Sequence, residues 1–131
     1  MKFLGIDFGT KRVGIAISDE DANMAFPKTV LENNNALLES IVNLCVTEKV
    51  AGIVIGESNK LSGEPNLLMV DIEKFKTALG QKIAVEIFLE PEFFSSAEAE
   101  RLQGKNDMLD ASAAAIILKS FLDKRKNHDN H

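Results

Sequence analysis

The amino-acid sequence predicts a single α/β domain whose five-stranded mixed sheet is antiparallel through its first three strands and parallel later, with helices on both faces. Two observations lead to this class. The chain opens with short apolar runs separated by turn residues, so hairpins come first. From Ala36 onward, segments with helical spacing alternate with strand-like runs, and strands joined through helices run parallel.

Residues Lys2–Phe8 and Val13–Ser18 are apolar runs joined by Gly9-Thr10-Lys11-Arg12, the pattern of a β-hairpin. Met24–Val30 is a weaker run, and Pro27 inside it predicts an edge strand, because proline cannot donate to a ladder. Asn33-Asn34-Asn35 marks a break. Leu37, Leu38, Ile41, Leu44 and Cys45 then recur at three- and four-residue spacing, predicting an amphipathic helix to about Glu48. Val50–Ile55 is continuously apolar, as in a strand buried on both faces. Glu57–Pro65 reads as a polar loop. Pro65 suits a helix start; Leu68, Ile72, Phe75 and Leu79 share a face, and Gly80 is expected to end the helix. Ile83–Leu89 alternates as a strand does. Ser95-Ser96-Ala97-Glu98 has the capping-box pattern of a short helix, broken by Gly104-Lys105-Asn106. The last helix is expected from about Asp107 to Leu122. Residues 1–123 form the domain, and 124–131 are expected to be a flexible polar tail.

The 131 residues suit one domain, and no apolar run approaches the roughly 20 residues of a membrane-spanning helix. The start of the chain reads as a strand and not as a signal peptide. The single cysteine, Cys45, lies among apolar residues and reads as a reduced core residue, which points to the cytoplasm. The net charge of −5 argues against a strong non-specific binder of nucleic acid, which is usually basic. It agrees with a cluster of acids that divalent cations neutralise.

Three acids carry the chemistry. Asp7 ends the first strand, on the face of Gly5 and Phe3 and opposite Leu4, Ile6 and Phe8. A carboxylate there is costly to bury unless it is paired or holds a cation. Asp110 opens the alanine-rich last helix, and steps of four and seven residues place it on the face of Ala114 and Ile117. Small residues at 111 and 113–115 let that helix approach the sheet closely. Asp107, three residues earlier, lies on nearly the same side and also suits an N-cap. Glu92 follows the Ile83–Leu89 strand, with Glu90 in reserve; a strand parallel to the first brings either to the edge of Asp7. Converging carboxylates hold Mg²⁺ or Mn²⁺ for phosphodiester chemistry. Lys11 and Arg12, on the first hairpin, are candidate phosphate contacts. Glu57 reads as a solvated acid, and His128 and His131 as solvated residues of the tail.

The segment Gly5-Ile6-Asp7-Phe8-Gly9-Thr10-Lys11-Arg12-Val13-Gly14-Ile15-Ala16-Ile17-Ser18-Asp19 resembles the opening signature of the YqgF/RuvX family, Holliday-junction-resolvase-like proteins and pre-16S ribosomal RNA nucleases. Asp110-Ala111-Ser112-Ala113-Ala114-Ala115-Ile116-Ile117-Leu118-Lys119-Ser120-Phe121-Leu122 resembles its last helix. The resemblance extends to about Asp123. It implies a ribonuclease-H-like fold, with Asp7 and Asp110 as the first and last catalytic acids. Two segments depart from it. Pro91-Glu92-Phe93-Phe94-Ser95-Ser96 stands where the family has Asp-Glu-Arg-x-Thr-Thr, so the acid at Glu92 stays while a neighbouring acid and an arginine are lost. Gly56-Glu57-Ser58-Asn59-Lys60 replaces a Gly-Leu-Pro loop.

Together these readings give a metal-dependent nuclease, a hydrolase of phosphodiester bonds in pre-16S rRNA 5′-end processing or branched-DNA resolution, acting as a monomer or homodimer. Its partners would be nucleic acid and the ribosomal particle. The alternative is a non-catalytic nucleic-acid or ribosome-associated module of the same fold. A third class, nucleotide phosphotransfer, shares an Asp-x-Gly-Thr hairpin but needs two lobes to enclose its nucleotide.

Overall fold

In the computed structural model, residues 1–57, 67–91 and 109–129 are described. Strands β1 (Lys2–Phe8), β2 (Arg12–Ser18) and β3 (Ala25–Glu32) come first. Helix α1 (Leu37–Thr47), strand β4 (Val50–Glu57), helix α2 (Leu67–Lys82), strand β5 (Glu86–Pro91) and helix α3 (Leu109–Asp129) follow. The sheet order is β3-β2-β1-β4-β5. β1 pairs antiparallel with β2 and parallel with β4; β2–β3 is antiparallel and β4–β5 parallel. This is the mixed five-stranded sheet that the sequence predicts, a ribonuclease-H-like α/β fold.

Strand alternation divides the core. Leu4, Ile6 and Phe8 of β1 face α1 and α2 and join Leu37, Ile41, Cys45, Ile72 and Leu79. Phe3 turns the other way and packs with Ala16, Val54 and the α3 residues Ala114, Ile117, Leu118 and Leu122. The sheet is therefore sandwiched between α1/α2 and α3. β3 lies at the sheet edge as Pro27 requires, and its pairing shifts where Ala16 meets Pro27. The β1–β2 turn is closed by Asn33, whose Nδ2 donates to the Gly9 carbonyl at 2.8 Å and whose N–H donates to the Lys11 carbonyl at 2.9 Å. A Cβ on Gly9 would stand 2.5 Å from the Arg12 carbonyl oxygen, so this turn needs glycine.

Several expected boundaries move, β3 and β4 among them, which run on to Glu32 and Glu57. Gly80 does not end α2, which runs to Lys82; the buried Leu79 carries the helix onward and its carbonyl accepts from the Ile83 N–H at 3.1 Å. β5 consequently begins at Glu86 and not at Ile83, where pairing with Gly52 starts, and extends to Pro91. The last helix passes Leu122 and continues to Asp129. Its extension is held by side chains: Lys119 pairs with Asp123 at 2.6 Å, Lys124 with Glu90 at 2.6 Å, and the Arg125 guanidinium sits 5.1 Å from the Phe3 ring centre. The short helix expected from Ser95 lies outside the described residues.

Cys45 is buried, as expected, and desolvation pushes its thiol up to about 11. At pH 8 only about one molecule in a thousand then carries the thiolate. Native protein should react with a disulfide reagent far more slowly than urea-unfolded protein, which a stopped-flow thiol assay at pH 8 measures. Equal rates in the two states would contradict this burial.

Candidate active site at the carboxyl edge of the sheet

β1, β4 and β5 run parallel, so their carboxyl ends share one edge of the sheet. Asp7 stands there, half-buried, on the α3 face of β1. Its antiparallel partner on β2 is Gly14. On β4, Ile6 faces Ile55, so Gly56 is the residue beside Asp7. Gly56 in turn faces Glu90 on β5. One row across the sheet thus reads Gly14, Asp7, Gly56, Glu90. The glycines carry no side chain, so the strands flanking Asp7 add no bulk on this face.

Helix α3 reaches the same edge because its face is smooth. A Cβ on Gly5 would lie 2.8 Å from the Leu118 Cβ and 3.0 Å from the Ala114 carbonyl oxygen, so helix and strand touch almost backbone to backbone. The rings of Phe3 and Phe121 pack at 5.7 Å. Moving along β1 from Phe3 to Gly5 therefore matches moving along α3 from Phe121 back to Ala114. Two more residues of strand, about 7 Å, lead from Gly5 to Asp7. Four fewer residues of helix, about 6 Å, lead from Ala114 to Asp110. Asp7 and Asp110 thus each stand one short step along their element from the contact at Gly5.

The other predicted residues fall as follows. Glu92 and Asp107 lie outside the described residues; Pro91, immediately before Glu92, ends β5 at the edge of Asp7. Asp110 is in the first turn of α3. Lys11 and Arg12 are exposed on the hairpin that follows Asp7. Glu57 ends β4 one residue past Gly56, so alternation turns it to the α1/α2 face, away from Asp7. Glu90, the reserve acid, is on the α3 face but engaged: Lys124 Nζ donates to its Oε2 at 2.6 Å and Ser120 Oγ donates to the same oxygen at 3.0 Å. Sequence spacing gives no sign of this network, because an acid after Leu89 reads as the end of a strand. Among the described residues, no three His, Cys, Asp or Glu side chains gather into a cation site. The candidate donors Asp7, Glu92 and Asp110 are all carboxylates, the oxygen chemistry that Mg²⁺ and Mn²⁺ take.

The sequence profile of the RuvX family, described as Holliday junction resolvase, matches residues 1–124. The chain belongs to the RuvX family. It is 40% identical over 134 residues to a protein of Maridesulfovibrio salexigens named "Putative pre-16S rRNA nuclease", covering 93% of this chain and 98% of that one. A protein of Rickettsia africae with the same name is 31% identical, covering 95% and 87%. Among solved structures, Thermus thermophilus RuvC in complex with Holliday junction substrate matches with a TM-score of 0.67 at 14% identity, over 96% of each chain. The fowlpox virus resolvase in complex with Holliday junction DNA matches with a TM-score of 0.55 at 11% identity, over 95% of this chain and 98% of that one. At such identities the likeness is one of fold, and it agrees with the ribonuclease-H-like architecture. Among the described residues, no helix is long and apolar enough to cross a membrane.

Proposed function

We propose that this RuvX-family chain is a divalent-metal-dependent nuclease that hydrolyses phosphodiester bonds, with the 5′ end of pre-16S rRNA as its first candidate substrate and branched DNA as the second. The observation that carries the reading is the close docking of α3 on Gly5, two residues before Asp7 on the same strand face, by Ala114, one helical turn after Asp110. Asp7, Glu92 and Asp110 would hold Mg²⁺ or Mn²⁺, with Asp107 as a further candidate ligand. When bound, the ion supplies Lewis-acid polarisation of the phosphodiester and of the attacking water. The chain's own contribution is to fix the carboxylates on a strand end and a helix start, both regular elements of the scaffold. Water attacks phosphorus, one P–O bond forms, and the P–O bond to the leaving strand breaks with a proton passing to its oxygen. Lys11 and Arg12, on the hairpin next to Asp7, would contact substrate phosphates. A cytoplasmic location and an association with ribosomal particles fit this role.

The test is a cleavage panel with Mg²⁺ or Mn²⁺: precursor rRNA ends, a four-way DNA junction, duplex and single-stranded DNA. Cleavage of precursor rRNA that stops on chelation and returns with metal is the expected result. Nucleic-acid binding with no cleavage on any substrate, and no metal bound, would replace this reading with the non-catalytic module, for which the altered Pro91-Glu92-Phe93-Phe94 segment is the sequence ground.

A further inference from the structure

Glu90 is only 3% exposed, in a row with Asp7 and two strands away, about 10 Å. A carboxylate is rarely buried so completely, and here its near neighbours include the apolar pair Phe88 and Phe121, packed at 4.9 Å. Its partner Lys124 is half exposed, and an ion pair that reaches the surface contributes little to stability. What it supplies is direction. Phe88 against Phe121 permits sliding, whereas bonds of 2.6 Å from Lys124 and 3.0 Å from Ser120 to one oxygen fix the helix in rotation and in register.

Such fixing is needed because α3 meets β1 through a smooth face. Ala111 and Ala114 are fully buried, and alanine side chains interlock little with a glycine strand. Ile117, Leu118 and Leu122 anchor the middle of α3, whereas the stretch from Ala111 to Ala115, next to Asp110, has only small side chains to hold its rotation. We propose that Glu90, with Ser120 and Lys124, is a positioning latch that fixes α3 against β5, and so sets Asp110 relative to the strand end from which Glu92 follows. This rests on the metal-nuclease reading above. The latch touches neither substrate nor metal. It acts through the two elements that carry the acids, and a misplacement of about 1 Å at such a site can cost on the order of a hundredfold in rate.

The test separates positioning from folding. The paired variant E90M/K124M keeps the volume and removes the directional bonds. Its thermal midpoint should stay near that of the wild type. Mn²⁺ binding, followed by electron paramagnetic resonance without substrate, should weaken at least tenfold, and kcat should fall while KM for the nucleic acid changes little. K124R, which keeps the cation, should retain Mn²⁺ binding. If the paired variant folds poorly, S120A carries the test with an expected threefold loss of Mn²⁺ affinity. Wild-type Mn²⁺ affinity in the folded paired variant, or in S120A, overturns the proposal while D7N still loses metal. No Mn²⁺ binding by the wild type itself overturns the metal-nuclease reading instead.

Discussion

Asp7→Asn is expected to lower cleavage by at least about a hundredfold and to leave the fold and the thermal midpoint of the metal-free protein unchanged. The magnitude follows from its place. Outer-shell partners of a metal ligand already cost about 10–100-fold when removed, and Asp7, on the central strand of the sheet, is a candidate ligand itself. Asparagine keeps the volume and the capacity to accept hydrogen bonds and removes the charge that a divalent cation requires. The fold should hold, because asparagine matches aspartate in size at this half-buried position, and the neighbours Ile6 and Phe8 face the other way into α1 and α2. Three measurements decide it together: single-turnover cleavage, Mn²⁺ binding and a circular-dichroism melt. Loss of cleavage with an unchanged melt supports the assignment. Full cleavage by the variant would move the chemistry away from this edge.

Much of this arrangement is legible in the sequence, for reasons that differ by element. β1 is read to the residue because seven apolar-rich positions end at an acid and a glycine. The shared edge at which β4 and β5 end follows from connectivity, since helix-linked strands run parallel. The close approach of α3 follows from small residues on two elements, Gly5 and the alanines after Asp110. The helix ends are less legible. Gly80 resembles a stop, yet the burial of Leu79 outweighs a propensity cost of about 1 kcal/mol. The polar run after Leu122 resembles a tail, yet Lys124 and Arg125 find partners on β5 and β1 that lie far away in sequence. The role of Glu90 was hidden for the same reason. Its partners are thirty and thirty-four residues downstream, and no local pattern connects a strand acid to a serine and a lysine of the last helix.

Gly5→Ala is the substitution in which stability and activity fall together. The added methyl meets the Leu118 Cβ at 2.8 Å and the Ala114 carbonyl oxygen at 3.0 Å, and the second of these belongs to helix backbone that no rotamer change can move. The neighbouring strands offer no relief, because Gly5 sits on β1, the central strand of the five, paired with Ala16 and Val54, both fully buried. The helix must therefore lift. Overpacking of this kind costs about 1–3 kcal/mol, or roughly 4–12 °C in thermal midpoint for a chain of this size. Lifting α3 at Ala114 also moves its first turn, one helical turn away, and with it Asp110 relative to Asp7. Cleavage should then drop by about tenfold or more at temperatures where the variant is still fully folded, because catalytic geometry tolerates less displacement than packing does. The decisive comparison is with a substitution of similar cost on the other face, Ile41→Val in α1, which lies in the cluster that does not touch α3. If Ile41→Val loses stability but keeps its rate when folded, while Gly5→Ala loses both, the fit of α3 against Gly5 serves the site as well as the fold. Equal rates for the two folded variants would mean that the position of α3 has no bearing on the chemistry.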